Sequence, residues 1–442
     1  MAREYKDSGI YNEAIPLTWN VRKFGGLCSV VTDFVASGSF ADLRANVHYL
    51  DSPDYAMLVR TTDLAKSNRS EKRVYISKES YDYLSNSNLF GGEIVLPNIG
   101  SIGDVYIVPS DLYSRMSLAP NAIMFKTNEC DKYFYYYFQS KVGGVQLDEI
   151  SQSTAMAKFN KTDLRQLRVL CPPYSEQQKI ADYLDKVCGE VDELVAIQET
   201  MIEELKAYKQ SVITEAVTKG LNPNAPMRNS GIDWIGEIPK HWEVIKLSFL
   251  TSKIGSGSTP TGGANVYVHE GVKFLRSQNV YFEGLNLNDV AFITETIDEE
   301  MKGTRVKPGD VLLNITGGSI GRCYYVDESL GRANVNQHVS IIRPTKIETI
   351  YLKYSLQSDL GQNQIALLQT GGNREGLSAA ALSNFKILFP PMSEQRTIAS
   401  YLDTKCSEID SLIALKQAKI EELKEYKKSV IYEYVTGKKE VC

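Results

Sequence analysis

At 442 residues, with 43% hydrophobic and 23% charged residues, the chain exceeds what a single hydrophobic core serves, and its composition excludes disorder. A formal net charge of −5 argues at first against a nucleic-acid partner. Seven cysteines, never spaced as CxxC, stand beside four histidines, so neither a disulfide framework nor a zinc site is expected. No run of roughly 18 apolar residues and no apolar N-terminal segment occurs, so no membrane association and a cytoplasmic location are expected.

The chain is written twice. Residues 172–218 align without a gap on residues 390–436, with about 28 identities in about 47 positions. The match extends upstream, where SGIYNEAIPLTWNV from Ser8 corresponds to SGIDWIGEIPKHWEV from Ser230. A unit of about 220 residues is repeated in tandem. Residues 1–171 carry 19 basic and 19 acidic groups, residues 223–389 carry 16 of each, and residues 390–442 nine of each. The deficit therefore sits in residues 172–222, with 5 basic against 10 acidic groups, and charge alone does not decide the partner.

Four segments follow in chain order: a globular part (1–171), a helical spacer with its linker (172–222), a second globular part (223–389) and a second helical spacer (390–442). In the first globular part Trp19 follows Ile15-Pro16 after two intervening residues, as Trp242 follows Ile238-Pro239, and both are expected as core or staple aromatics. Short β-rich runs are read at 55–60, 92–97 and 104–109, with counterparts at 272–276, 310–315, 323–327 and 338–344, punctuated by Gly, Asn and Pro. Helices are read at Lys132–Gln139 and Tyr351–Leu360. The fold class expected is mixed α/β.

Three landmarks recur in both parts with chemistry attached. Arg60, Thr61 and Thr62 end one strand, as Arg276, Ser277, Gln278 and Asn279 end another. Such side chains suit phosphates or base edges, and equally a surface ion pair. The densest basic run, Lys66, Arg69, Lys72 and Arg73, then tracks a backbone or covers a solvated loop. Gly100-Ser-Ile-Gly103 and Gly318-Ser-Ile-Gly321 each follow a strand containing Asn98 or Asn314; the spacing fits neither a dinucleotide fingerprint nor a P-loop, and a turn is expected. Just before each long helix the copies diverge, Ser153 to Lys158 against Thr370 to Arg374, as loops reading different sequences would, and as loops drifting without function would also.

Pro-Pro followed by Ser175-Glu-Gln-Gln, or by Ser393-Glu-Gln-Arg, marks a helix entry with serine as N-cap and, in the first copy, Gln178 closing a capping box. Apolar residues then recur at helical spacing: Ile180, Leu184, Val187, Val191, Leu194, Met201, Leu205, Tyr208 and Val212, and in the second copy Ile398, Leu402, Ile409, Leu412, Leu423, Tyr426 and Val430. Each helix runs about 43 residues, or about 64 Å. An antiparallel coiled coil between the copies is expected; two separate surface helices are the alternative. Cys188 and Cys406 are expected as buried apolar residues. The strings CPPY at Cys171 and FPPM at Phe389 lack the Asn/Asp of an adenine-methyltransferase motif, and no catalytic constellation is found.

Taken together, SGIDWIGEIPKHW at Ser230, FLRSQNV ending at Val280, GDVLLNITGGSIG at Gly309, NVNQHVSIIRP at Asn334, TGGNREGLS at Thr370 and both PPxSEQ entries resemble the specificity (S) subunit of Type I restriction-modification enzymes over essentially the whole chain. The resemblance implies two target-recognition domains on double-stranded DNA, one half-site each, separated by two antiparallel helices with an internal pseudo-twofold. It implies no catalysis and no cofactor in this chain. Two methyltransferase (M) subunits carrying S-adenosylmethionine and restriction/motor (R) subunits would be its partners. The DNA-contacting set then comprises Arg60, Thr61, Thr62, Lys66, Arg69, Lys72, Arg73 and Lys158 in the first part, and Arg276, Ser277, Gln278, Asn279, Arg322, Asn336, Gln337 and Arg374 in the second. The first copy departs from the pattern, with YNEA in place of WIGE, and Asn121-Ala122 where the second has Asn336-Gln337-His338. A stand-alone DNA-modifying enzyme and a protein-binding helical scaffold are the competing readings.

Overall fold

A computed structural model describes residues 3–65, 72–151, 157–368 and 376–441. The chain folds as two units: one runs from Met1 to Gln198 and resumes at Ala418, the other spans Glu199–Gln417. Segments read along the sequence thus group differently in space, because each unit takes one globular part and half of each long helix.

Both units repeat one topology. In the first, Cys28–Asp33, Ala122–Thr127, Ile94–Pro97 and Tyr106–Ile107 form an antiparallel sheet in that order. Beside it Ala56–Val59 runs parallel to Met116–Leu118 in a second sheet. The second unit has Thr251–Ser256, Val339–Pro344, Val311–Asn314 and Cys323–Tyr325, with Val272–Leu275 parallel to Ala333–Val335. The mixed α/β expectation holds, and each β-rich run of the sequence contains one of these strands. Ile94–Pro97 and Val311–Asn314 are buried along their whole length, which is why their sequences are continuously apolar and not alternating. The helices lie at Asp131–Gln139 and Thr349–Gln357.

Aromatic packing dominates the first core: Phe24 meets Phe125 edge-on at 5.0 Å between centroids, and Trp19 and Tyr133 are fully buried. Trp242 and Tyr351 take the same places in the second core. An antiparallel pair closes each globular part, Asn20–Lys23 with Arg168–Cys171 and Glu243–Lys246 with Lys386–Phe389, and delivers the chain to the helix entry.

The long helices are Tyr174–Lys219 and Met392–Val435. Each starts one residue before the serine, so Ser175 and Ser393 lie in the first turn and are not N-caps. The Pro173 carbonyl accepts the Glu176 and Gln177 N–H groups, and Gln178 donates to the Tyr174 hydroxyl at 3.3 Å in place of closing a capping box. The motif's middle glutamine does the anchoring. Buried Gln177 accepts the Cys130 N–H at 3.0 Å and donates to the Pro172 carbonyl at 2.9 Å. Gln395 accepts the Glu348 N–H at 2.9 Å and donates to the Pro390 carbonyl at 2.8 Å.

Within each unit the two helix halves run in opposite directions. In the first, the Tyr183 ring meets that of Tyr434 at a tilt, 4.4 Å between centroids, and Asp192 pairs with Lys427 at 2.6 Å. In the second, Lys209 pairs with Asp410 at 2.7 Å, and Leu221 and Asn222 share a cleft with Ser393, Glu394 and Thr397. The apolar stripe read as one seam serves two purposes. Ile180, Leu184 and Cys188 enter the first globular core and Ile398, Leu402 and Cys406 the second, whereas Leu194, Met201, Tyr208, Leu412 and Tyr426 are exposed. A helical period records an apolar residue without recording which neighbour covers it. Burial pushes the Cys188 thiol up to about 11, in keeping with an inert packing role.

Candidate nucleic-acid interface

Sheet register gathers the polar loops of each unit at one end. In the second unit Ser256 pairs with Ser340 and Asn314 with Val339. The chain leaving two strands therefore meets the chain entering a third. The parallel pair ends at Leu275 and Val335, and Asn336 N–H donates to the Leu275 carbonyl at 3.0 Å. Arg276–Val280, Thr316–Arg322 and Asn336–His338 consequently lie together. The first unit places Arg60–Leu64, Asn98–Gly103 and Ala119–Asn121 at the corresponding end through the pairs Val59 to Leu118 and Pro97 to Ala122.

The two arginine turns share a backbone device and differ in electrostatics. Arg60 N–H donates to the Asp63 carboxylate at 2.9 Å, and its guanidinium grips the same group at 2.9 and 2.8 Å. Its Nη2 also donates to the Lys72 carbonyl at 2.6 Å. Asp63 holds the Arg60 guanidinium charged, so the ion-pair reading describes its position here. In the second unit Asn279 accepts the Arg276 N–H at 2.8 Å but carries no charge. The Arg276 guanidinium turns instead to the Asp289 carbonyl at 2.8 Å and carboxylate at 3.4 Å. Gln278 donates to that carboxylate at 2.6 Å.

Other candidates separate by exposure. Asn279 is buried with its amide donating to the carbonyls of Asn286 and Asp289 at 2.9 and 3.3 Å, so in this structure it shapes the turn. Asn336 is also largely buried, and its side chain accepts the His338 N–H at 3.1 Å. Thr62, Lys72, Lys158, Gln278 and Gln337 are exposed, and Thr61, Arg73, Ser277 and Arg322 are partly so. Lys66, Arg69 and Arg374, with Ser153 and most of the two divergent loops, lie outside the described residues.

The structure adds groups that motif reading missed. Thr316 meets His338 Nδ1 at 2.6 Å, His338 Nε2 meets the Gln337 amide at 3.0 Å, and Thr259 donates to Gln337 Oε1. This chain of side chains joins three loops, a proximity that only the register creates. The Gly-Ser-Ile-Gly segments are hairpin turns: Gly103 and Gly321 have φ of +99° and +89°, a region favouring glycine, and Gly321 N–H returns to the Asn314 carbonyl at 2.9 Å. Among the described residues no group of three or more His, Cys, Asp or Glu is placed to hold a metal.

Two frames of one topology, each with unlike polar loops at the same sheet end, describe a duplicated recognition protein. The Type I restriction modification DNA specificity domain matches residues 16–207 and 239–425, and the chain belongs to that family. It is 25% identical over 442 residues to the putative type I restriction enzyme MjaX specificity subunit of Methanocaldococcus jannaschii, spanning 96% of this chain and 94% of the relative. It is 28% identical over 312 residues to the MjaVIII specificity subunit of the same organism, 69% of each chain. Among solved structures, a chain from a study of complex assembly and conformational transition of the type I R-M system superposes with a TM-score of 0.67 at 14% identity, over 95% of this chain and 98% of that one. The HsdS subunit from Thermoanaerobacter tengcongensis gives 0.50 at 16% identity, over 98% and 100%. The fold is therefore shared with these structures. Among the described residues no helix is long and apolar enough to cross a membrane.

Proposed function

We propose that this specificity subunit reads a bipartite double-stranded DNA target, one half-site per globular part, and is itself non-catalytic. Two methyltransferase subunits carrying S-adenosylmethionine, joined by restriction/motor subunits, act on what it selects. The observation that carries the reading is the duplication: the sheet framework and helix entries are repeated, while the loops at the common sheet end differ in chemistry. Changed loops on a constant frame suit two readers of different sequence. Exposed Leu194, Ile197, Leu412 and Leu415 give the long helices apolar surface of the kind a partner subunit covers. The test is to map methylated bases with this chain and its matching methyltransferase subunit. Two fixed half-sites separated by a constant spacer are expected; modification without sequence preference defeats the proposal.

A further inference from the structure

Among the described residues, the arginines of the second globular part are almost all engaged. Arg228 donates to the Lys240 and Trp242 carbonyls at 3.1 and 2.6 Å. Arg276 is held by Asp289, Arg305 and Arg332 by Asp298, and Arg343 by Asp310. Arg322 is different. Among the described residues no acceptor meets its guanidinium, which lies over the Tyr281 ring at 4.9 Å from the centroid. Stacking fixes the plane of a guanidinium through its face and leaves its edge N–H donors available.

One buried residue locates both partners. Asn314 N–H donates to the Arg322 carbonyl at 2.8 Å. The Asn314 side chain donates to the carbonyls of Ser277 and Val280 at 2.8 and 3.4 Å, immediately before Tyr281. Its full burial makes this bracket stiff. The arginine and its platform thus stand beside the polar loops of the second unit in a preset orientation.

We infer that Arg322, oriented by Tyr281, is a specificity-determining residue that reads a guanine in the half-site of the second unit. This rests on the DNA-reading function proposed above. An oriented arginine edge matches the O6 and N7 acceptors of guanine. Phosphate is the other anionic possibility for such a group, and the repeat decides against it. The first unit carries Asp104 directly after Gly103, where the second carries Arg322 after Gly321. A carboxylate repels phosphate, so this position does not serve a backbone contact common to both half-sites. Aspartate and arginine both read bases, the former accepting from cytosine N4.

The test uses the assembled complex with its methyltransferase subunit and a set of duplex oligonucleotides bearing each single base-pair substitution of the target. Arg322→Ala is expected to weaken binding to the preferred duplex by roughly 5- to 150-fold and to make one G·C pair of one half-site degenerate, the other half-site keeping its preference. Tyr281→Ala is expected to cause a smaller loss at that same pair, and Tyr281→Phe none. Equal weakening on every duplex, with a salt dependence reduced by about one ion, would identify a phosphate contact and overturn the inference. Unchanged discrimination in Arg322→Ala also overturns it. If the wild-type complex prefers no duplex, the parent function fails instead, so the two failures are distinct.

Discussion

Gln177 and Gln395 lie beneath the helix entries with both ends of each amide bonded to main chain. Truncating such a group strands a buried N–H and carbonyl, at a cost of about 1–3 kcal/mol. Gln395→Ala is expected to lower stability by that amount in urea titrations, while exposed Gln278→Ala leaves it unchanged. Arg276 holds Asp289 beside the polar loops. Arg276→Ala is expected to weaken target binding by about 1–3 kcal/mol and to spare assembly; an unchanged gel-shift affinity removes it from the interface. Asp298 shows how charge is used elsewhere. Burial pushes its carboxyl up, but hydrogen bonds from Arg305, Asn334 and Arg332 outweigh this and hold it below the usual carboxylate range. A depressed folded value means stability present above the unfolded pKa and lost as pH falls through the folded one. Relative to wild type, Asp298→Asn is therefore expected to be less stable at neutral pH, with the difference shrinking below about pH 4.

At the scale of the long helices, the surface left uncovered is the informative feature. Leu415 is 67% exposed, and Leu194, Ile197 and Leu412 nearly half so. Because about half or more of each side chain is open to solvent, Leu412→Glu with Leu415→Glu should leave the thermal midpoint within a few degrees while preventing co-purification with the methyltransferase subunit. Retained co-purification would place the partner elsewhere. If the helices set the spacer, four residues inserted near Gln198 lengthen one by about 6 Å, one to two base pairs, and the selected spacer should grow accordingly.

Across the whole molecule, duplication permits substitution of one copy by the other. The first core draws Val430, Ile431 and Val435 from the C-terminal helix, and the repeat aligns these on Val212, Ile213 and Val217. A fragment of residues 1–222 lacks the former but carries the latter. Two such fragments would complete each other's cores as a true twofold dimer, and the methylated target should become an interrupted palindrome of the first half-site. The ten acidic groups of residues 172–222 would then face their copies, making association weaker at low salt. Analytical ultracentrifugation at high salt and micromolar concentration checks this; a monomer counts against helix pairing.

The repeat, the α/β class, seven of the strands, the long helices and the family are legible in the sequence, because each is recorded in local periodicity or direct self-similarity; Cys28–Asp33, Ala122–Thr127 and Thr251–Ser256 are not among the strands read there. The sequence also marked Trp19 and Trp242 as core or staple aromatics and the glycine segments as turns. Tertiary structure alone decided which polar residues meet. The bond partners of Arg60 and Arg276 follow from Asp63 being charged and Asn279 neutral, and Asn279 itself is buried in its turn. Tyr281 and Arg322 lie far apart in the chain and are joined through Asn314, and Thr259 reaches Gln337 across loops that strand register brings together. Such meetings depend on which strand pairs with which, a long-range choice made by the packed core and not carried by any single segment.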